Sequence, residues 1–283
     1  MTGVRYQQLD LGSGPRLALA TIPWAETASF GIWIPAGSRD DPAETAGLAH
    51  FVEHMTFKGT RRRDARQISI EIEGQGGQIN AATSEDSTCY DARGEADLLP
   101  LLIDILCDLV WDPVFPAAEI DLEREVIREE IALYQESPSD HITDLIARAL
   151  WGSHPLGRPI VGDSTTIDRV TRAKLQSHVA DHHRRRDIVI AAAGPFEPAR
   201  IIDLVTPHLP PGPPTDSQPS TPYSPALRKP GSQVTEKRNG GQCHLALGYH
   251  SPGRHDDTRH ALRMLSLILG ENFSSRLFQE LRE

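Results

Sequence analysis

Five consecutive residues, His50-Phe51-Val52-Glu53-His54, limit what this chain can fold into more than any other stretch. On a helix, residues four apart lie one above the other on the same face, so both imidazoles can reach a single metal ion. Glu53 sits about 60° round the helix from His50. That is too far aside for an obvious third ligand, but close enough to take a proton from water at the metal. Two neutral imidazoles, a carboxylate base and a zinc ion are the parts a hydrolytic zinc site requires. The flanking residues Ala46, Leu48, Ala49, Phe51, Val52 and Met55 make the segment largely apolar. We therefore expect a mostly buried helix, where unpaired polar groups are costly, rather than a surface helix with two solvated histidines. Asp41-Pro42 is expected to supply its N-cap and first helical residue, and Gly59 its stop.

A buried pair of histidines needs a third ligand from a second element packed against the first. Residues 117–135 read as a long amphipathic helix. With Ile120 at zero and roughly 100° per residue, Ile127, Ile131 and Tyr134 fall within about 40° of it. Glu123 and Glu130, two turns apart, fall at the edge of the same inward stripe, whereas Asp121, Glu125, Glu129 and Glu136 point toward water. The pattern selects Glu123 and Glu130 without choosing between them. An ordinary charged helix with two partly exposed marginal acids reads the same way.

Taken together, these segments resemble a known family. Gly47-Leu-Ala-His-Phe-Val-Glu-His-Met-Thr-Phe-Lys-Gly-Thr60 is similar to the zinc-site segment of the inverzincin metallopeptidases, the family of pitrilysin, insulysin and mitochondrial processing peptidase. Glu125-Val-Ile-Arg-Glu-Glu-Ile131 resembles its third-ligand helix, and Leu156-Gly-Arg-Pro-Ile-Val-Gly162 a further recurrent segment. The resemblance implies that His50, His54 and Glu130 bind one zinc ion per chain, that Glu53 is the general base, and that Glu123 supports the site. Gly77-Gln-Ile-Asn-Ala-Ala-Thr-Ser84 is similar to the strand on which the family docks its peptide, which implies Asn80, Ala81, Ala82 and Thr83 as substrate-binding residues. Arg282 matches a substrate-contacting arginine of the second domain. A zinc endopeptidase acting on extended peptides follows, paired as a homodimer or as a heterodimer with a related subunit. The family also includes catalytically silent subunits, so a zinc- and peptide-binding partner is the alternative. A metal-free fold with buried histidines is a third reading.

Composition agrees with a soluble enzyme. The 283 residues are 39% hydrophobic, enough for a sizeable core. Their formal net charge of −10, without a basic stripe interleaved with aromatics, speaks against nucleic-acid binding. An acidic cleft would favour peptides carrying Arg or Lys. No basic start precedes an apolar run near Met1, and the longest apolar stretch, 98–111, is too short to span a bilayer. Cys89, Cys107 and Cys243 form no C-x-x-C pair and read as buried thiols, so the cytoplasm is the expected compartment.

Along the chain, strands are expected at 6–11, 17–22 and 29–35, then the histidine helix, then a helix at 65–73. A hairpin of 79–83 and 87–92 follows, with helices at 96–110, 117–135, 139–151 and 171–181. The series closes with a strand at 187–193 and a helix near 197–206. Early strands paired antiparallel with helices collected on one side make an α+β two-layer domain. We expect the catalytic domain to span 1–209, a Pro/Ser/Gly-rich linker 210–237, and the start of a second homologous domain 238–283, with a strand at 242–249 and a helix at 257–269. The chain ends inside what resembles a helix of that second domain, so a C-terminally truncated member, a partial product or a degenerate chain is expected.

Overall fold

Six strands form one sheet, and the order in which they lie explains where the histidines end up. A computed structural model describes residues 3–12, 14–211, 231–239, 241–253 and 255–283. The strands are β1 (Arg5–Asp10), β2 (Arg16–Thr21), β3 (Thr27–Ile34), β4 (Gln78–Thr83), β5 (Thr88–Glu95) and β6 (Val189–Gly194), in the spatial order β1-β2-β6-β3-β5-β4. Four of the five pairings are antiparallel, as expected; β2 with β6 is parallel. β6 returns after a long helical excursion and slots between β2 and β3, and a connection of that length can deliver a strand in either direction. β4 is left at the sheet edge, with one side of its backbone unpaired among the described residues.

The helices gather on one face. They are α1 (Leu48–Thr56), α2 (Ala65–Glu73), α3 (Leu99–Trp111), α4 (Ala117–Glu136), α5 (Pro138–Trp151), α6 (Ser164–Ile167), α7 (Arg172–His182) and α8 (Pro198–Val205). Strand alternation does the sorting. Leu17, Leu19, Phe30, Ile32, Tyr90, Ala92 and Ile190 are buried beneath α2, α3 and α8, whose Ile68, Ile72, Leu102, Ile103, Leu106, Ile201 and Val205 complete the main core. A second core joins α1, α4 and α7 through Phe51, Val52, Met55, Ile120, Ile127, Ile131 and Leu175. Ile120, Ile127 and Ile131 are buried where periodicity placed them on α4, so the α+β class and this stripe stand, but Tyr134, expected on the same stripe, is 43% exposed near the helix end.

These elements belong to a unit spanning Met1–His244; Leu245–Glu283 forms a separate unit carrying α9 (Arg259–Gly270) and α10 (Arg276–Arg282). The strand expected at 242–249 carries no ladder among the described residues. Most of the expected linker, residues 212–230, lies outside them. Of the three thiols, Cys107 is buried, Cys89 half-buried and Cys243 exposed. Only the first fits the expectation of buried cysteines. No helix of the described residues is long and apolar enough to cross a membrane.

Candidate metal centre

The histidine helix is held at its start by a device the sequence pattern misplaces. Asp41 is not its N-cap. The chain makes a 3-10 turn over Ala43–Thr45, and Gly47 caps α1 with φ 95°. A Cβ there would meet the Val161 carbonyl oxygen at 2.6 Å, so glycine is required by both space and conformation. Asp41 reaches across this turn instead: the N–H groups of Gly47 and Ala49 each donate to one of its carboxylate oxygens at 3.0 Å. Two orphan donors of the helix start are thereby satisfied from six and eight residues upstream. Burial raises the Asp41 carboxyl to about 7, against the pull of those N–H donors and of Arg158.

With α1 fixed, its polar residues meet α4 and β4. His50 Nε2 and His54 Nε2 each lie 3.7 Å from Glu130 Oε2, and the two rings are 4.5 Å apart. The three residues each offer one ligand atom within 4.8 Å of the others. Ligand atoms placed tetrahedrally at 2.0–2.2 Å from a zinc ion lie roughly 3.3–3.6 Å apart, so the donor set fits such an ion with small adjustments. Protonation state agrees for His50. Its burial, and then the neighbouring charge of His54, lower its pKa to about 3, which leaves a neutral ring with a lone pair. Its Nδ1 is buried without a hydrogen-bond partner among the described residues.

His54 is oriented through its other nitrogen. Its Nδ1 lies 2.8 Å from Glu123 Oε1, which fixes the tautomer that leaves Nε2 facing Glu130. Burial opposes a charge on His54, but Glu123, Glu130 and Glu53 together outweigh it and raise its pKa. For Glu123, which is 5% exposed, burial again acts first. The bonds to His54 and to Lys58 overcome it and hold the carboxyl below its ordinary range. Glu130 moves the other way, because burial and the Glu123 charge exceed the attraction of His54.

Glu53 projects toward the sheet edge, where the Thr83 hydroxyl donates to its Oε2. Burial raises its pKa, with the Thr83 bond and His54 opposing and Glu130 adding to the rise. A cleft of about 410 Å³ opens in front, lined among others by His50, Glu53, Ala82, Thr83, Glu130 and Tyr134. Glu85, Asp140, Asp144 and Arg158 line it too, and the sequence reading singled out none of these four. Asp140 and Asp144 stand four apart on α5, a same-face spacing that could have marked them. Asn80 and Ala81 share β4 with Ala82 and Thr83, Asn80 facing away from the core. Arg282 lies in the other unit, on α10, with its guanidinium 5.2 Å from the centre of the Phe278 ring.

Comparison with known proteins supplies a lineage. Residues 16–164 match the family model described as insulinase (peptidase family M16), and residues 169–283 match the peptidase M16 inactive domain. An uncharacterized zinc protease of Mycobacterium tuberculosis is 38% identical over 279 residues, covering 98% of this chain and 64% of the relative. The mitochondrial-processing peptidase subunit beta of Neurospora crassa is 32% identical over 203 residues, 72% of this chain and 43% of the relative. A protease from Helicobacter pylori shares the fold, with a TM-score of 0.80 at 21% identity over 98% of this chain and 68% of its own. The chain thus spans about 64% of the length of the mycobacterial relative.

Proposed function

This chain belongs to the insulinase family of peptidases, M16, and from that premise we propose that it carries the zinc centre of an endopeptidase that cleaves extended peptides. The observation that carries the proposal is the convergence of His50, His54 and Glu130 within 4.8 Å, one carboxylate away from an open sheet edge. His50, His54 and Glu130 would hold one zinc ion, which supplies Lewis acidity toward a carbonyl and makes nearby water acidic near neutral pH.

The remaining work falls to the chain's own groups. The unpaired edge of β4, at Asn80, Ala81, Ala82 and Thr83, offers alternating N–H and C=O groups to an extended peptide, which aligns its backbone with little regard to sequence. Glu53 takes a proton from the attacking water and returns it to the leaving amine. Burial raises its pKa, which makes it a stronger base than an exposed carboxylate. Glu123 keeps His54 Nδ1 engaged so that Nε2 faces inward. Glu53, Glu85, Glu130, Asp140 and Asp144 make the cleft predominantly acidic, which favours peptides carrying Arg or Lys. Pairing with a second copy or a related subunit is proposed as well, supported by a relative named as a subunit.

The test is Glu53→Gln, with zinc content measured beside cleavage of a quenched basic peptide by the full chain. We expect zinc content to stay at one ion per chain and turnover to fall by roughly 10²–10⁴-fold, the usual worth of a positioned acid–base group. Full zinc occupancy with no turnover before or after the substitution would instead identify a binding subunit.

A further inference from the structure

We propose that Lys58 is a positioning residue of this centre, holding the Glu123 carboxylate so that it fixes His54 for the metal. The inference rests on the zinc reading above and adds a residue to it. Lys58 follows α1 by two residues, and its N–H still donates to the Met55 carbonyl at 3.2 Å, continuing the helical turn. It therefore stands four residues after His54 on the same side of the turn, and both side chains meet Glu123 on α4. The contacts divide the carboxylate cleanly. Oε1 faces His54 Nδ1 at 2.8 Å, and Oε2 faces Lys58 Nζ at 2.5 Å.

That division sets what each partner does. A carboxylate whose side chain is only 6% exposed is expensive to keep ionised with a single hydrogen bond. Glu53 and Glu130 sit around the same two imidazoles and add like charge. Three carboxylates, when ionised, carry −3; a zinc dication and the Lys58 ammonium together carry +3. Without Lys58, Glu123 Oε2 loses its partner and the carboxylate is free to turn, which takes Oε1 away from His54 Nδ1. Lys58 also repels a dication directly. That repulsion acts from an ammonium whose side chain is 29% exposed, across the whole Glu123–His54 chain, and is screened by solvent. The contact with Glu123 is immediate and mostly buried. Support should exceed repulsion.

The experiment is a chelator competition for zinc on the full chain, comparing the native protein with Lys58→Met, Lys58→Arg, Glu123→Gln and the double substitution Lys58→Met/Glu123→Gln. Loss of a residue that orients a ligand typically weakens metal affinity by roughly 10–100-fold. Lys58→Met should therefore lose about ten-fold or more, and Lys58→Arg should recover most of it. In the Glu123→Gln background, removing Lys58 should cost nothing further, because a residue acting only through Glu123 has nothing left to act on. Additive losses would assign Lys58 a separate structural role and overturn the proposal, as would zinc binding by Lys58→Met equal to or tighter than native. A native protein that binds no zinc would refute the metal centre itself, a different failure from either.

Discussion

The entrance to the histidine helix gives a prediction whose size can be worked out beforehand. Asp41 is 4% exposed and accepts the N–H groups of Gly47 and Ala49. Burial nevertheless dominates, raising its carboxyl from an ordinary 3.8 to about 7. Each pKa unit is worth about 1.4 kcal/mol, so the fold favours the protonated form by roughly 4 kcal/mol. The sign follows from linkage. A carboxyl whose folded pKa lies above its unfolded one contributes stability that is complete below the unfolded pKa and is lost as pH rises through the folded pKa. In the substitution Asp41→Asn this titration disappears, while one acceptor oxygen remains. Losing the other acceptor costs a constant amount, about 1–3 kcal/mol for a buried N–H left unsatisfied. The constant part appears as an offset between the two proteins, and the ionisation as a slope. Urea unfolding of both proteins after zinc removal, from about pH 4 to about pH 8, should show native stability falling relative to Asp41→Asn by roughly 4 kcal/mol. A gap that stays constant with pH would mean Asp41 titrates alike folded and unfolded. A gap moving in the native protein's favour as pH rises would show that the two N–H donors outweigh burial, and would refute the reasoning.

Two further outcomes separate the roles of the cleft residues. Glu130→Gln should abolish stoichiometric zinc retention after dialysis while leaving the far-ultraviolet circular dichroism unchanged, since Glu130 is half-buried and packs into neither core. Asp140→Asn/Asp144→Asn should raise KM for a peptide bearing Arg or Lys by a few-fold to about ten-fold, in line with about 1 kcal/mol for a partly exposed charge pair. A neutral peptide should be unaffected, and added salt should shrink the difference.

What the sequence made legible follows the range of the forces involved. Helix faces are local, and the apolar period on α4 placed Glu123 and Glu130 inward because Ile120, Ile127 and Ile131 had to be buried. Strand and helix limits came within a few residues for the same reason, as with Ala65–Glu73 and Pro138–Trp151. Long-range choices were not legible. Nothing in 187–193 says that this strand lies parallel to β2, because pairing depends on which edge is open when the chain returns. Asp41-Pro42 looked like a helix start because that dipeptide has the right local chemistry; the structure uses the same carboxylate at a distance, after a left-handed Gly47 turns the chain. The links Thr83–Glu53 and Lys58–Glu123 join residues 30 and 65 apart, and no periodicity connects them. Glu85, Asp140 and Asp144 entered the cleft unannounced because a charged surface residue and a cleft residue carry the same local pattern.

Diffraction from zinc-soaked crystals, recorded on both sides of the zinc absorption edge, examines the metal centre most directly. The account predicts one strong anomalous peak per chain, about 2.0–2.2 Å from His50 Nε2, His54 Nε2 and a Glu130 carboxylate oxygen. A map with no peak between those three side chains, or with Glu130 turned away from both imidazoles, would contradict it.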